Sequence, residues 1–284
     1  MTYADFSHQG VTAPHSPDGQ PLTLEQALTN IRQTQDSGLR YYAAWWLGRM
    51  RVSQSEAIEG LLDALNDRAD RSPDGGFPLR RNAARALGKL GDRRAVPALA
   101  ACLHCEDYYV REAAAQALEM LGDSACVPAL LALLAGGVEA AVPVAGKPHL
   151  VQPYNAVIEA LGTLGDAVLI PVIEPFLHHN TPQVRNAAAR ALYQLTGEDC
   201  YAERLVTVLQ GDELQLRRAA LMDLGAIGYT PAAHAIANTL AENSMKLMSL
   251  QGVLEAQIMA EGDSRTLQLS DTTQVILQLM DDLL

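Results

Sequence analysis

Val110-Arg-Glu-Ala-Ala-Ala-Gln-Ala-Leu118 is one copy of a nine-residue pattern that recurs along the chain. The pattern is a branched apolar residue, Arg, two variable positions, two small residues, two variable positions and Leu. It returns as Leu39-Arg-Tyr-Tyr-Ala-Ala-Trp-Trp-Leu47, Leu79-Arg-Arg-Asn-Ala-Ala-Arg-Ala-Leu87 and Val184-Arg-Asn-Ala-Ala-Ala-Arg-Ala-Leu192. Leu216-Arg-Arg-Ala-Ala-Leu-Met-Asp-Leu224 is the last clear copy, and Pro153-Tyr-Asn-Ala-Val-Ile-Glu-Ala-Leu161 is a degenerate one with Tyr154 in place of Arg. The terminal leucines, at 47, 87, 118, 161, 192 and 224, are spaced by 40, 31, 43, 31 and 32 residues. The unit is therefore 31 or 32 residues, and the two longer gaps hold insertions.

Each unit continues in the same way. A glycine turn follows the leucine, as at Gly91-Asp92, Gly122-Asp123 and Gly165-Asp166. A second apolar segment then opens near a proline: Pro97, Pro128, Pro171 or Pro231. Glycine suits a left-handed helix end, and proline suits a first helical turn, where its missing N–H is not needed. Each unit thus predicts helix, tight turn, helix. One such hairpin cannot bury its apolar face alone, so the units must stack. The expected fold is all-α, an α-solenoid of about six helical hairpins with capping helices at both ends. Thr23-Leu-Glu-Gln26 fits a capping box that opens the N-terminal cap, a helix through about Gln35.

Composition agrees. The 284 residues include 44 Ala and 42 Leu but only 5% aromatics. Ala and Leu lose little side-chain freedom in a helix, whereas a β sandwich needs more β-branched and aromatic residues. The net charge of −12 argues against nucleic acid or an anionic membrane as partner, since both need clustered positive charge. No apolar run is long enough to insert in a membrane, and Met1 to Gln20 lacks the basic and apolar runs of a secretory signal. Cys102, Cys105, Cys126 and Cys200 then read as reduced thiols in the cytoplasm. The expected organisation is a flexible segment over 1–21, the solenoid over 22–257, and a linker with a final amphipathic helix over 258–284. That helix carries Val275, Ile276, Leu279, Met280 and Leu283 on one side, to dock on the stack or on a partner.

The repeated Arg is expected to form a structural ladder to acidic turn residues such as Asp92, Asp107 or Asp123. Function is sought where the pattern breaks. Tyr41, Tyr42, Trp45 and Trp46 place both tryptophans within six residues, where the other copies carry small or polar side chains. Helical spacing pairs 41 with 45 and 42 with 46. That gives two aromatic columns, one of them free to be buried and the other exposed. They read as a bulky end cap, a stacking surface for a flat ligand, or a partner hot spot. The insertions Asn66 to Pro78 and Ala135 to Gln152 read as polar loops on one edge, the second carrying Lys147 and His149. His178-His179 point about 100° apart on a helix and chelate poorly. Cys102-Leu-His-Cys105 has no second pair to complete a zinc site, so no metal is expected. No nucleophile elbow, P-loop or dinucleotide fingerprint occurs, and the catalytic residues stay unassigned.

From about Leu22 to Glu255 the chain resembles the phycobilisome-lyase class of HEAT-like repeat proteins, specifically the E-type subunits of heterodimeric E/F bilin lyases. The resemblance is carried by Tyr41-Tyr-Ala-Ala-Trp-Trp-Leu-Gly48, Gly146-Lys-Pro-His-Leu-Val-Gln-Pro-Tyr-Asn155 and Leu216 through Tyr229. It implies HEAT-like hairpins and a lyase that joins phycocyanobilin by a thioether bond to a cysteine of apo-phycocyanin α, and that also detaches or transfers it. It further implies an F-type partner subunit and a cyanobacterial cytoplasm. The nucleophile then belongs to the substrate, and phycocyanobilin is a substrate rather than a cofactor. On this basis Tyr41, Tyr42, Trp45 and Trp46 form a bilin wall or the subunit contact. Arg40, Arg80 or Lys147 pair with the two propionates, and His149, Tyr154 and Asp223 are candidate proton-transfer groups. A lyase–isomerase E subunit and a noncatalytic scaffold for phycobiliprotein assembly are the alternative readings.

Overall fold

The computed structural model describes residues 22–262 and 269–284. The N-terminal segment 1–21 and most of the expected linker lie outside the described residues. The helices are α1 (Leu24–Arg32), α2 (Ser37–Arg49), α3 (Ser55–Ala64), α4 (Pro78–Leu90), α5 (Val96–Cys102), α6 (Tyr108–Leu121), α7 (Val127–Ala132) and α8 (Tyr154–Leu164). They continue as α9 (Ile170–Ile173), α10 (Pro182–Thr196), α11 (Asp199–Val208), α12 (Leu214–Ile227), α13 (Ala233–Asn238), α14 (Asn243–Glu261) and α15 (Asp271–Asp281). Among the described residues the repeat appears as the helix pairs α2/α3, α4/α5, α6/α7, α10/α11 and α12/α13, with α8 and α9 formed by the degenerate copy. One compact unit extends to Leu164 and a second begins at Gly165.

The nine-residue pattern folds as expected. In α4 the pattern residues Leu79, Ala83, Ala84 and Leu87 are all fully buried. Gly91 and Gly122 end α4 and α6 in the left-handed conformation, φ 73° and 67°. Thr23 and Gln26 form the capping box of α1. That helix stops at Arg32 rather than Gln35 because the Gln33 side chain closes a turn. Its Oε1 accepts from the N–H groups of Gln35 and Asp36, and its Nε2 donates to the Asp36 carbonyl at 2.6 Å.

In the unit up to Leu164, the first helices α2, α4, α6 and α8 pack side by side. Each second helix packs on the first helix of the next pair: α3 on α4, α5 on α6 and α7 on α8. The first helices touch backbone to backbone. A Cβ built on Gly48 would lie 2.8 Å from Ala86 Cα, and one on Gly88 2.8 Å from Ala117 Cα. In the second unit α12 and α14 meet the same way, a Cβ on Gly252 falling 2.4 Å from the Gly225 carbonyl oxygen.

The arginine ladder exists, but its partners are mainly backbone carbonyls. Arg111 donates to Cys105 O, Glu106 O and Val151 O at 2.7, 3.1 and 2.9 Å. Arg185 donates to His179 O and Asn180 O, and Arg217 to Gly211 O and Leu240 O. Each Arg holds the turn before its own helix, and Arg111 and Arg217 also hold the turn before the next first helix. The reason is supply: every helix end leaves carbonyls without intrahelical donors. The expected acids are spent on backbone N–H groups instead. Asp92, Asp107 and Asp123 accept from Arg94, Tyr109 and Ala125.

At the C-terminus α14 runs to Glu261, past the expected end at Gln257. The final helix α15 docks on α13 and α14. Thr273 and Ile276 are buried there, while Val275 and Leu277 stay exposed, so the buried stripe is narrower than the sequence pattern implied. Asn243 Nδ2 donates to the Leu283 carbonyl at 2.8 Å and pins the end of the chain to the start of α14.

Candidate functional site

The candidate site is the outward face of the first-helix layer in the unit up to Leu164. On α2 the buried residues are Arg40, Ala43, Ala44, Leu47 and Gly48. At about 100° per residue these share one side, which leaves 41, 42, 45 and 46 on the other. Tyr42 and Trp45 are 40% and 38% exposed, and Tyr41 and Trp46 are half-buried. Tyr41 and Tyr42 pack edge to face with ring centroids 5.6 Å apart. Neither aromatic column is buried: each pairs one exposed ring with one half-buried ring, and the four side chains form an outward aromatic band because the small residues take the inner side.

The repeat register sets this band against its neighbours. The seats held by Tyr41, Trp45 and Arg49 on α2 are held by Arg81, Arg85 and Lys89 on α4. On α6 they are Glu112, Gln116 and Met120, and on α8 Asn155, Glu159 and Thr163. An aromatic column therefore stands beside a cationic one, with columns beyond that each hold a single glutamate among uncharged residues. The Gly48–Ala86 contact makes the first two close neighbours. Asn82 Nδ2 donates to the Tyr41 carbonyl at 3.4 Å across the same seam.

Two groups on this face titrate away from their ordinary values. Lys89 is held below the usual lysine range by partial desolvation and then by the guanidinium groups of Arg49, Arg85 and Arg51. Burial lifts the Glu112 carboxyl above the usual glutamate range, against the pull of Arg85, Arg81 and His149. With the folded-state pKa raised, the charged carboxylate carries a stability cost at neutral pH. The cost disappears as pH falls below the unfolded-state value of about 4.3. Glu112→Gln is thus expected to be more stable than wild type at pH 7, with the gap closing by about pH 4. Urea unfolding at the two pH values checks this, and a gap of equal size at both would refute it.

Both insertions lie at the edge where α4, α6 and α8 begin, on either side of the turn that carries Tyr108 and Tyr109. The first is tied down rather than loose. The Asp67 carboxylate pairs with Arg40, Asp70 caps α4 at Leu79 N–H, and Phe77 N–H donates to Asp107 at 2.7 Å. Phe77 is buried beneath Arg71 and Arg80, 4.3 and 5.0 Å from its centroid. The second insertion forms a small hairpin with an antiparallel bridge between Pro143 and Leu150. Its His149 ring stacks on Tyr108 at 4.1 Å and 13°, while Arg81 lies 4.6 Å over Tyr109. Tyr108 and Tyr109 were not singled out in the sequence. The available signal was that they form a second tyrosine doublet placed just ahead of a pattern copy.

Of the sequence-predicted residues, Tyr41, Tyr42, Trp45 and Trp46 come together. Lys147 is exposed at the hairpin tip, beside His149. Four others fall elsewhere. Arg40 is buried, pairing with Asp67 and donating to the Ile31 carbonyl at 3.3 Å. Arg80 is engaged with the buried Phe77 ring. Tyr154, 1% exposed, is a core residue of α8 and cannot reach a surface ligand. Asp223 is likewise buried, paired with Arg190 at 3.5 Å in the second unit. Cys102, Cys105 and Cys126 are buried free thiols. Among the described residues no three His, Cys, Asp or Glu side chains are grouped to hold a metal ion. No described helix is long and apolar enough to cross a membrane.

The hairpin stack defines a HEAT-repeat protein, and the family models agree. HEAT repeats match residues 71–142 and 154–225, and the PBS lyase HEAT-like repeat matches 39–67. The chain belongs to the phycocyanobilin lyase alpha-subunit family. It is 58% identical over 262 residues to the phycocyanobilin lyase subunit alpha of Synechocystis sp., covering 92% of this chain and 96% of that protein. With the bilin biosynthesis protein RpcE of Synechococcus sp. it shares 47% identity over 85% of this chain and 93% of the other. Among solved structures it is similar to the complex of CpcE and CpcF of phycocyanin lyase from Nostoc sp. PCC7120. There the TM-score is 0.87 and the identity 57%, over 97% of this chain and all of the matched one.

Proposed function

We propose that this chain acts as the alpha, E-type subunit of a phycocyanobilin lyase. With an F-type partner it joins phycocyanobilin through a thioether bond to a cysteine of the phycocyanin α subunit, in a cyanobacterial cytoplasm, and can release the bilin in the reverse direction. The family membership and the resemblance to a lyase complex support the assignment. The observation that carries it to this face is the aromatic column beside the cationic one. A bilin is long, flat and conjugated and carries two propionates, so it asks for a stacking wall next to fixed positive charge.

The chemistry needs no nucleophile from this chain. Adding a thiol across a carbon–carbon double bond puts sulfur on one carbon and hydrogen on its neighbour, and consumes no oxidant. What the protein supplies is orientation of the two reactants, which lowers the entropic barrier and selects one face of the double bond. Phycocyanobilin is a substrate in this reading. Combining the chain with its F-type partner, phycocyanobilin and apo-phycocyanin is expected to yield a covalent, zinc-fluorescent α subunit. A covalent product absorbing as phycoviolobilin would identify a lyase–isomerase instead, and no covalent product would leave a scaffold.

A further inference from the structure

A cationic cluster sits at the C-terminal ends of α2 and α4, directly beside the exposed tryptophan. Arg49 and Lys89 hold the same repeat seat on neighbouring helices whose backbones touch at Gly48 and Ala86. Arg85 is one turn before Lys89, and like charges at that spacing repel. Arg51 adds a fourth cation. It is the one non-glycine residue with positive φ among the described residues, 52°, a conformation that L side chains resist. There its Nη1 donates to the Lys89 carbonyl at 3.3 Å. Strain of this kind persists only where the surroundings hold it, and it collects at functional positions.

Charge balance makes the cluster unusual. The chain carries a net charge of −12, yet no described carboxylate lies within ion-pair distance of Arg49, Arg51 or Lys89. Lys89 is lowered in pKa, and every charged group that bears on it is another cation. Cations do favour helix C-termini through the macrodipole. That preference does not explain the cluster, because the same seat in later repeats holds Met120, Thr163, Gln194 and Ala226. At this seat positive charge occurs on α2 and α4 alone among the six pattern copies.

We propose that Arg49 and Lys89 form the propionate-binding subsite of the bilin, with its conjugated system stacked on the Tyr42 and Trp45 side of α2. This rests on the lyase reading above and deepens it. It also replaces Arg40 and Arg80, which the fold consumes. Two carboxylates beside Arg49 and Lys89 would meet positive charge that no described carboxylate of the chain neutralises, and charge-assisted contacts of this type are the strong ones. Arg51 serves as a positioning residue that braces the end of α4 under Lys89.

The test compares phycocyanobilin with its dimethyl ester, which keeps the conjugated system and removes both charges. Binding is followed by absorbance titration with the chain in complex with its F-type partner. Wild type is expected to prefer the free acid. Arg49→Met combined with Lys89→Met should weaken free-acid binding roughly tenfold or more, leave ester binding unchanged, and so erase the preference. Arg49→Lys with Lys89→Arg, which keeps the charges, should retain it. Both seats are exposed, and an unchanged melting midpoint would show the fold intact. If the methionine variant keeps wild-type affinity and wild-type preference for the free acid, the subsite is wrong while the lyase reading stands. If the wild-type complex binds neither form of the bilin, both fall together.

Discussion

Replacing Trp45 and Trp46 together by Ala is expected to cut the rate of bilin attachment by about a hundredfold or more, with little change in melting temperature. The size follows from the contacts removed. Each tryptophan–ligand stack contributes about 1–3 kcal/mol by truncation, and two on one face act on the same bound molecule. Because the lyase works by orientation, binding lost at the wall also loosens the reacting carbon, so the rate falls along with affinity. Stability should survive because α2 is anchored by Ala43, Ala44 and Leu47, all fully buried, and these are untouched. Attachment assays with the reconstituted pair, beside thermal melts of the same samples, decide it. Wild-type rates in the double variant would remove the aromatic band from the site.

Arg40→Met should have the largest effect on stability, about 3–5 kcal/mol, since it breaks a buried ion pair by removing one partner. The side chains of Arg40 and Asp67 are only 11% and 10% exposed. Methionine fills much of the space of the arginine stem but leaves the Asp67 carboxylate with only the Ala69 and Asp70 N–H groups. The damage should spread, because those contacts set the start of the first insertion and Asp70 in turn caps α4. Urea unfolding of Arg40→Met, Asp67→Asn and the double variant gives the coupling directly. A double variant no more stable than Arg40→Met would show that the stranded carboxylate is not the main cost.

The helices, their caps and their stacking were legible in the sequence because each is written within a few residues. Ala43, Ala44 and Leu47 name the buried side of α2, and Gly91 and Gly122 name the helix ends. What escaped was whatever depends on atoms that sequence does not distinguish. The arginine ladder was visible as a period, but its acceptors are carbonyl oxygens, which every residue possesses. A reader of the sequence looks for acids and finds Asp92 and Asp123, already occupied as caps. The aromatic band was seen as a cluster, and its orientation followed from the same helical wheel once the small residues claimed the inner side. The stack of His149 on Tyr108 was not visible, because it joins residues 41 positions apart through an insertion whose path is set by Arg111 and Val151. The basic cluster was hidden differently. Arg49, Arg85 and Lys89 look like ordinary helix-surface residues until the repeat register aligns the columns.

The glycine–alanine seams give the first-helix layer a fixed gauge. Where backbone meets backbone, as at Gly48 with Ala86 and Gly88 with Ala117, the distance between columns is set by the main chain and not by what the outer seats display. The face is in that sense a printed page with constant line spacing: the letters at the 41, 45 and 49 seats can be exchanged without moving the lines. Divergence among such proteins can therefore change the size and charge of what the outer seats display at no cost to the frame. A bulkier residue at Gly48 would do the reverse, leaving every letter in place and shifting the lines apart.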